Sequence, residues 1–313
     1  MYWAVCCGVI MAAGLAVNGF ITLVNITEWL REGRLKLCDK VLTILCLTRF
    51  FLLWIFFLEM IGVLLQLIPF SAFGIYCIFY VFELSLDYFS RWLFMDFFSR
   101  WLSAWLAMLY YVKITIFKNP FFLQLQSLIP RITGYVIFIS VFISFVPGLI
   151  YSLSAKQGFC EDAKGVNVTT NTDELLAFRI IAFFFGHSFP FMLEMLSSIY
   201  LLCTLFAHIR HTESYISNFT APNMEAHWTV IRYIFLMNLL SMCNFFGNFF
   251  LWSFISSFIG RAVGYFLAFS YPTFHSVVLI LSNPKMKREV VNMFHCATKL
   301  WSFSKQEPGT VTQ

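Results

Sequence analysis

Seven long apolar stretches separated by short polar segments run along the chain, at approximately residues 3–29, 41–69, 88–112, 132–153, 175–207, 229–253 and 262–281. One helical bilayer crossing needs roughly 20 apolar residues, so the pattern predicts an all-α bundle of seven transmembrane helices. Several stretches exceed a single crossing, and their ends must tilt, emerge or break. Residues 70–86 are apolar too, and an eight-span count is the main structural alternative. Pro69, Gly74, Glu83 and Asp87 interrupt that segment, which reads as a short outer turn. Seven spans put the two termini on opposite sides.

Composition supports the same solvent. Of 313 residues, 60% are hydrophobic, 20% aromatic and only 12% charged, far from a soluble globular average. A single membrane domain covering 1–313 follows, with no room for a large water-soluble one. Lys and Arg near span ends favour the cytoplasmic side. Arg31, Arg34, Lys36 and Lys40 lie in the first loop, Lys113, Lys118 and Arg131 in the second inner loop, and Arg210 and Arg232 around the third. The tail adds Lys285, Lys287, Arg288, Lys299 and Lys305, whereas the other side has only Lys156, Lys164, Arg179 and Arg261. The amino terminus is therefore expected outside, residues 154–174 as the second extracellular loop, and residues 283–313 as the cytoplasmic tail. The net charge of +5 is met by membrane lipids at the inner surface, with no nucleic-acid partner needed. The opening apolar run lacks a basic n-region and a cleavage site, and is expected to remain as the first span.

Topology sorts the three Asn-x-Ser/Thr sequons: Asn167 lies in the outer loop and is the expected glycan acceptor, while Asn25 and Asn218 are chance matches on the inner side. Most of the nine cysteines fall inside spans and behave as small apolar residues. Cys77 and Cys160 both face the outside and are a candidate pair, and Cys296 is a candidate acylation site.

The ionisable residues within spans carry the most information, since a charge at the bilayer centre costs roughly 2.5–3.5 kcal/mol. Span three holds Asp87, Arg91, Asp96 and Arg100, and four-residue spacing puts each Asp with an Arg on one helical face. The repeated Phe-Ser-Arg-Trp-Leu at 89–93 and 98–102 is no fold repeat, but it sets Trp92 and Asp96 four residues apart. A free Asp96 would attract a protonated amine, with Trp92 offering its ring face. Alternatively Arg100 or another base neutralises Asp96, or burial keeps it protonated. Glu59 and Glu194 either meet Arg100 or line the cavity. Asn244 and Asn248, followed by Trp252, form a stripe that faces the pocket or packs helices. Arg49, Lys113, His208, His227 and His275 are expected at or near inner helix ends. Pro147, Pro190 and Pro272 are expected to kink their spans. The segment after Asn283 reads as an amphipathic surface helix, with disorder from Ser302 onward. No metal-ligand cluster, nucleophile elbow or phosphate-binding Gly loop appears, so neither an enzyme nor a cofactor or metal is expected.

Several local patterns are shared with one family: Asn18-Gly19-Phe20 to Asn25 and Trp29; Asp39, Leu42-Thr43 and Thr48-Arg49 to Trp54; Trp101-Leu102 to Lys113-Ile114; and Asn119 to Leu123. Thr204-Leu205, His208, Ala226-His227 and the His275-Ser276 to Lys287 run complete the set. In this order, over nearly the whole chain, they resemble the bitter taste receptors, the type 2 taste receptors. Thr204, Gln126 and Glu28 depart from the usual Ser, Lys and Asp. The resemblance implies a seven-helix G protein-coupled receptor of the plasma membrane that binds small bitter molecules from outside, here including cationic amines, and activates a gustducin-type heterotrimeric G protein. It places Trp92 and Asp96 at the pocket-lining Trp and Asn positions, brings Tyr265 to the pocket, assigns His275-Ser276 to the helix-seven switch and makes Arg49 a tie between inner helix ends. A vomeronasal type 1-like receptor is the nearest alternative. A small-solute transporter is a weaker one, because no duplicated halves or paired broken helices appear.

Overall fold

The computed structural model describes residues 2–66, 86–115, 120–162, 177, 180–215, 223–253 and 258–306. Among them there is no strand. The helices are α1 Tyr2–Glu32, α2 Leu37–Gln66, α3 Leu86–Ile114, α4 Pro120–Asp162, α5 Phe189–Tyr215 entered through a π-helical turn at Phe184–Ser188, α6 Asn223–Ser253, α7 Phe258–Ser282 and α8 Pro284–Gln306.

Among the described residues, six segments are long and apolar enough to cross a membrane: Cys6–Glu32, Leu37–Leu58, Gln126–Val146, Ile180–Arg210, Trp228–Leu251 and Ala262–Ser282. Helix α3 is not among them, and it carries Asp87, Arg91, Asp96, Arg100 and Lys113. Helix α3 nevertheless packs against α2, α4 and α5 and buries Phe97, Leu102, Trp105 and Leu109. The remaining packing closes a ring: α1 against α2 and α7, α5 against α6, and α6 against α7.

Polarity is inverted relative to a water-soluble protein. Asn18, Arg49, Ser99, Arg100, Glu194, Asn244 and His275 are buried, whereas Tyr135, Phe138, Phe142, Ile180, Leu196 and Phe235 face outward. Such a surface suits hydrocarbon and not water, which makes the chain a multi-pass membrane protein. In lipid, helices gain little from burying apolar area and associate through close packing and interhelical hydrogen bonds. Gly247 and Gly264 show the first device: a Cβ on Gly264 would lie 2.9 Å from the Gly247 carbonyl oxygen and 2.6 Å from Leu251 Cγ.

Several boundaries differ from the sequence expectation. Helix α4 overshoots 132–153 at both ends, so Pro120–Leu123 open a helix and residues 154–162 of the expected 154–174 loop are helical. Polarity marks where a chain leaves hydrocarbon, but a helix need not stop there. Residues 163–174 lie outside the described residues. The tail helix α8 passes Ser302 and reaches Gln306, because no Gly or Pro interrupts it after Pro284 until Pro308. It starts where the sequence marks a start. Pro284 occupies the first helical position and Asn283 Oδ1 accepts the Lys285 backbone N–H at 3.0 Å.

Candidate functional site

Arg49 stands twelve residues into α2, away from its inner end, while His275 stands seven residues before the end of α7, and both lie inside the bundle. Each is buried, Arg49 with none of its surface exposed. The guanidinium uses its whole fork: Nε donates to Ser99 Oγ at 3.2 Å, Nη2 to Ser103 Oγ at 2.9 Å, and Nη1 to His275 Nδ1 at 2.8 Å and Ser276 Oγ at 3.4 Å. Arginine only donates, so His275 accepts through Nδ1 and holds its proton on Nε2. Ser99 and Ser103 are one helical turn apart on α3, which is why one side chain reaches both. Ser276 passes the connection on, donating to Asn18 Oδ1 at 2.8 Å, while Asn18 Nδ2 donates to the Gly14 carbonyl at 2.8 Å. A single side chain therefore ties α2 to α3 and α7, and through Ser276 to α1.

A second charged group adjoins this knot. The Tyr271 ring lies beneath both guanidiniums, with Arg49 Cζ 5.1 Å and Arg100 Cζ 5.8 Å from its centre, within cation–π range. Arg100 Nε donates to Asp96 Oδ2 at 3.4 Å, the four-residue pairing that the sequence left as one of its readings. His187 Nε2 is 3.8 Å from the same oxygen. Asp96 thus stands between a guanidinium and an imidazole. Glu194 takes its hydrogen bond from another helix. It accepts from Ser241 Oγ at 2.6 Å, linking α5 to α6.

The π turn that presents His187 has a local cause. Pro190 has no N–H for the Gly186 carbonyl, so the ordinary i→i−4 ladder cannot continue there, and the Phe189 N–H reaches back to the Phe184 carbonyl in the wider spacing. Gly186 faces Phe97 so closely that a Cβ would fall 2.2 Å from the ring, and Phe97 stacks edge-on against His187 at 4.9 Å. Gly186→Ala is accordingly expected to cost about 1–3 kcal/mol through overpacking and to lower surface expression, with partial recovery in Gly186→Ala/Phe97→Leu. Flow cytometry of tagged receptor measures both, and undiminished expression of the single variant would refute the crowding argument.

Asn244 and Asn248 are buried on α6, and Asn248 Nδ2 donates to both the Asn244 carbonyl and Asn244 Oδ1, each at 3.0 Å. Asn244 Nδ2, Asn248 Oδ1 and Arg100 Nη2 have no partner among the described residues, which leaves interior hydrogen-bonding capacity on α6 and α3. Tyr265 is exposed at 37% and stacks on Phe269 at 5.4 Å. Lys113 and His208 are exposed near the ends of α3 and α5, and Cys296 is exposed on α8. Asn25 is buried, donates to Thr43 Oγ1 at 3.0 Å and accepts from Lys285 Nζ at 3.1 Å. Lys285 also pairs with Glu28. The side chains of Trp92, Glu59, His227, Trp252 and Cys160, and all of Asn167, Cys77 and Asn218, lie outside the described residues.

Sequence reading missed Ser99, Ser103, His187 and Ser241 as partners in this interior. The serine spacing was available as a signal; the approach of α5 and α6 was not.

The family model described as taste receptor protein (TAS2R) matches residues 3–298. Taste receptor type 2 member 39 of Macaca mulatta is 27% identical over 308 residues, covering 92% of this chain and 86% of that protein. Its Homo sapiens counterpart is 27% identical over 291 residues, covering 88% and 81%, and taste receptor type 2 member 3 of Pongo pygmaeus is 30% identical over 305 residues, covering 92% and 91%. With the family match spanning nearly its whole length and polar side chains knotting its membrane helices together, the chain belongs to the taste receptor protein (TAS2R) family, a membrane receptor and not an enzyme.

Proposed function

We propose that this protein is a seven-span bitter taste receptor of the plasma membrane, with α3 as the seventh crossing, the amino terminus outside, a glycan on Asn167 and the tail inside. Small bitter molecules enter from outside and contact Trp92, Asp96, Asn244, Asn248 and Tyr265. Receptor activation then engages a gustducin-type heterotrimeric G protein near the ends that carry Lys113, His208 and His227. The observation that carries this reading is the continuous polar connection from Asp96 through Arg100 and Tyr271 to Arg49, His275 and Ser276. An agonist that alters the Asp96–Arg100 pair acts on a ring that also supports the α1–α2–α3–α7 knot. Ligand binding shifts the population only through a difference in affinity for the two arrangements, and this connection gives the two sites a shared element to rearrange. Cells expressing the receptor with a gustducin-type chimeric G protein are expected to release calcium in a saturable, dose-dependent manner to at least one member of a broad bitter panel. Silence across the panel with verified surface expression would count against the reading.

A further inference from the structure

Away from the interior network, α1 and α8 enclose a groove of about 880 Å³. Its upper wall is Leu15, Phe20, Leu23 and Val24 of α1, all within the apolar segment Cys6–Glu32. Its mouth carries Arg31 and Glu32 from α1 and Arg288 and Glu289 from α8. At 1.5 Å per residue, the wall from Leu15 to Val24 runs about 14 Å, close to the roughly 15 Å of one leaflet's hydrocarbon. The charged part from Thr27 to Glu32 adds about 8 Å, the depth of a headgroup layer. The site is shaped like a lipid, apolar over one leaflet and charged at the end.

The charges at the mouth select among lipids. Lys285 is occupied by Glu28 and Asn25. Arg31, Glu32, Arg288 and Glu289 hold no ion pair among the described residues. Each helix presents an Arg followed directly by a Glu, and neighbours in sequence do not face each other on a helix, so neither helix neutralises its own pair. Two guanidiniums and two carboxylates therefore remain at one opening, matched in number. A guanidinium suits a phosphate through bidentate hydrogen bonds, and a carboxylate suits a donor-bearing ammonium. A purely anionic headgroup would set its phosphate against two acids, a sterol hydroxyl would leave most of the charges unused, and a choline has no N–H for the carboxylates.

We propose that this groove seats one phosphatidylethanolamine, its phosphate on Arg31 and Arg288, its ammonium on Glu32 and Glu289, and one acyl chain along Leu15 to Val24. The proposal needs only that the chain sits in a membrane. The test uses full-length receptor in nanodiscs containing equal parts phosphatidylethanolamine, phosphatidylcholine and phosphatidylserine, with lipids retained after detergent transfer counted by native mass spectrometry. Wild type is expected to retain one phosphatidylethanolamine, enriched about fivefold over phosphatidylcholine, as hydrogen bonds to charged groups at a largely exposed site allow. Arg31→Gln/Arg288→Gln is expected to abolish the enrichment, as is Leu23→Trp, which narrows the groove from a side chain 65% exposed and outside the core. Arg34→Gln removes the same charge outside the groove and should change nothing. Retention at the bulk ratio, enrichment of phosphatidylserine instead, or enrichment untouched by both groove variants would overturn the proposal.

Discussion

An Arg49→Ala receptor is expected to lose agonist-evoked calcium release and most of its surface expression. The substitution removes every hydrogen bond of a fully buried guanidinium to Ser99, Ser103, His275 and Ser276. Hydrogen bonds to charged groups contribute about 1.5–3 kcal/mol each, and a buried polar group left without its partner costs about 1–3 kcal/mol. Together these are a large fraction of a typical folding free energy of about 5–15 kcal/mol. Arg49→Lys separates charge from geometry. Lysine keeps the positive charge but offers a single ammonium in place of a planar fork, so it cannot span α3 and α7 together. Expression is expected to recover in part while the maximal response stays low. Normal expression and an unchanged response in Arg49→Ala would show that the knot is dispensable.

The second large effect concerns Asp96 and Arg100. At 3.4 Å, their attraction is on the order of 5 kcal/mol at an effective dielectric of 20, before desolvation. An amine ligand approaching Asp96 to the same distance gains no more than this and must share the carboxylate with a guanidinium. Asp96→Asn is therefore expected to shift the dose-response curves of amine and neutral agonists by similar factors. A potency loss confined to amines would instead identify Asp96 as their anchor. Arg100→Gln is the more damaging single change, because it strands a half-buried acid whose remaining basic neighbour among the described residues is His187 at 3.8 Å. Asp96→Asn/Arg100→Gln should recover surface expression above Arg100→Gln alone, with a coupling of about 0.5–3 kcal/mol, the usual range for residues in contact. Additive losses would mean that the two side chains act independently.

Much of the architecture is legible in the chain itself because lipid is a severe solvent. Every backbone polar group in hydrocarbon must be satisfied within its own segment, so long apolar runs have little choice but helix, and six such runs match helices that can cross. The start of α8 was readable from Asn283-Pro284, since capping is a local property. The four-residue spacing of Asp96 and Arg100 is helix geometry alone, and their pairing follows from it. Helix ends were poorly legible, as α4 shows, because hydropathy reports where lipid ends and not where the helical hydrogen-bond ladder ends.

The sequence by itself determined that this is a helical membrane protein, which side chains are too polar for lipid, and which of them share a turn. Only the tertiary structure decided their partners across helices. Arg49 and His275 are 226 positions apart, Ser276 and Asn18 258, and Glu194 and Ser241 47. Contacts at such separations depend on which face each helix turns toward its neighbours. That is set by close packing at sites such as Gly247–Gly264 and by the wide turn before Pro190. A uniformly apolar helix gives little periodic signal of its facing, since lipid and protein interior are similarly apolar. The same physics that makes the spans easy to find conceals how they are rotated.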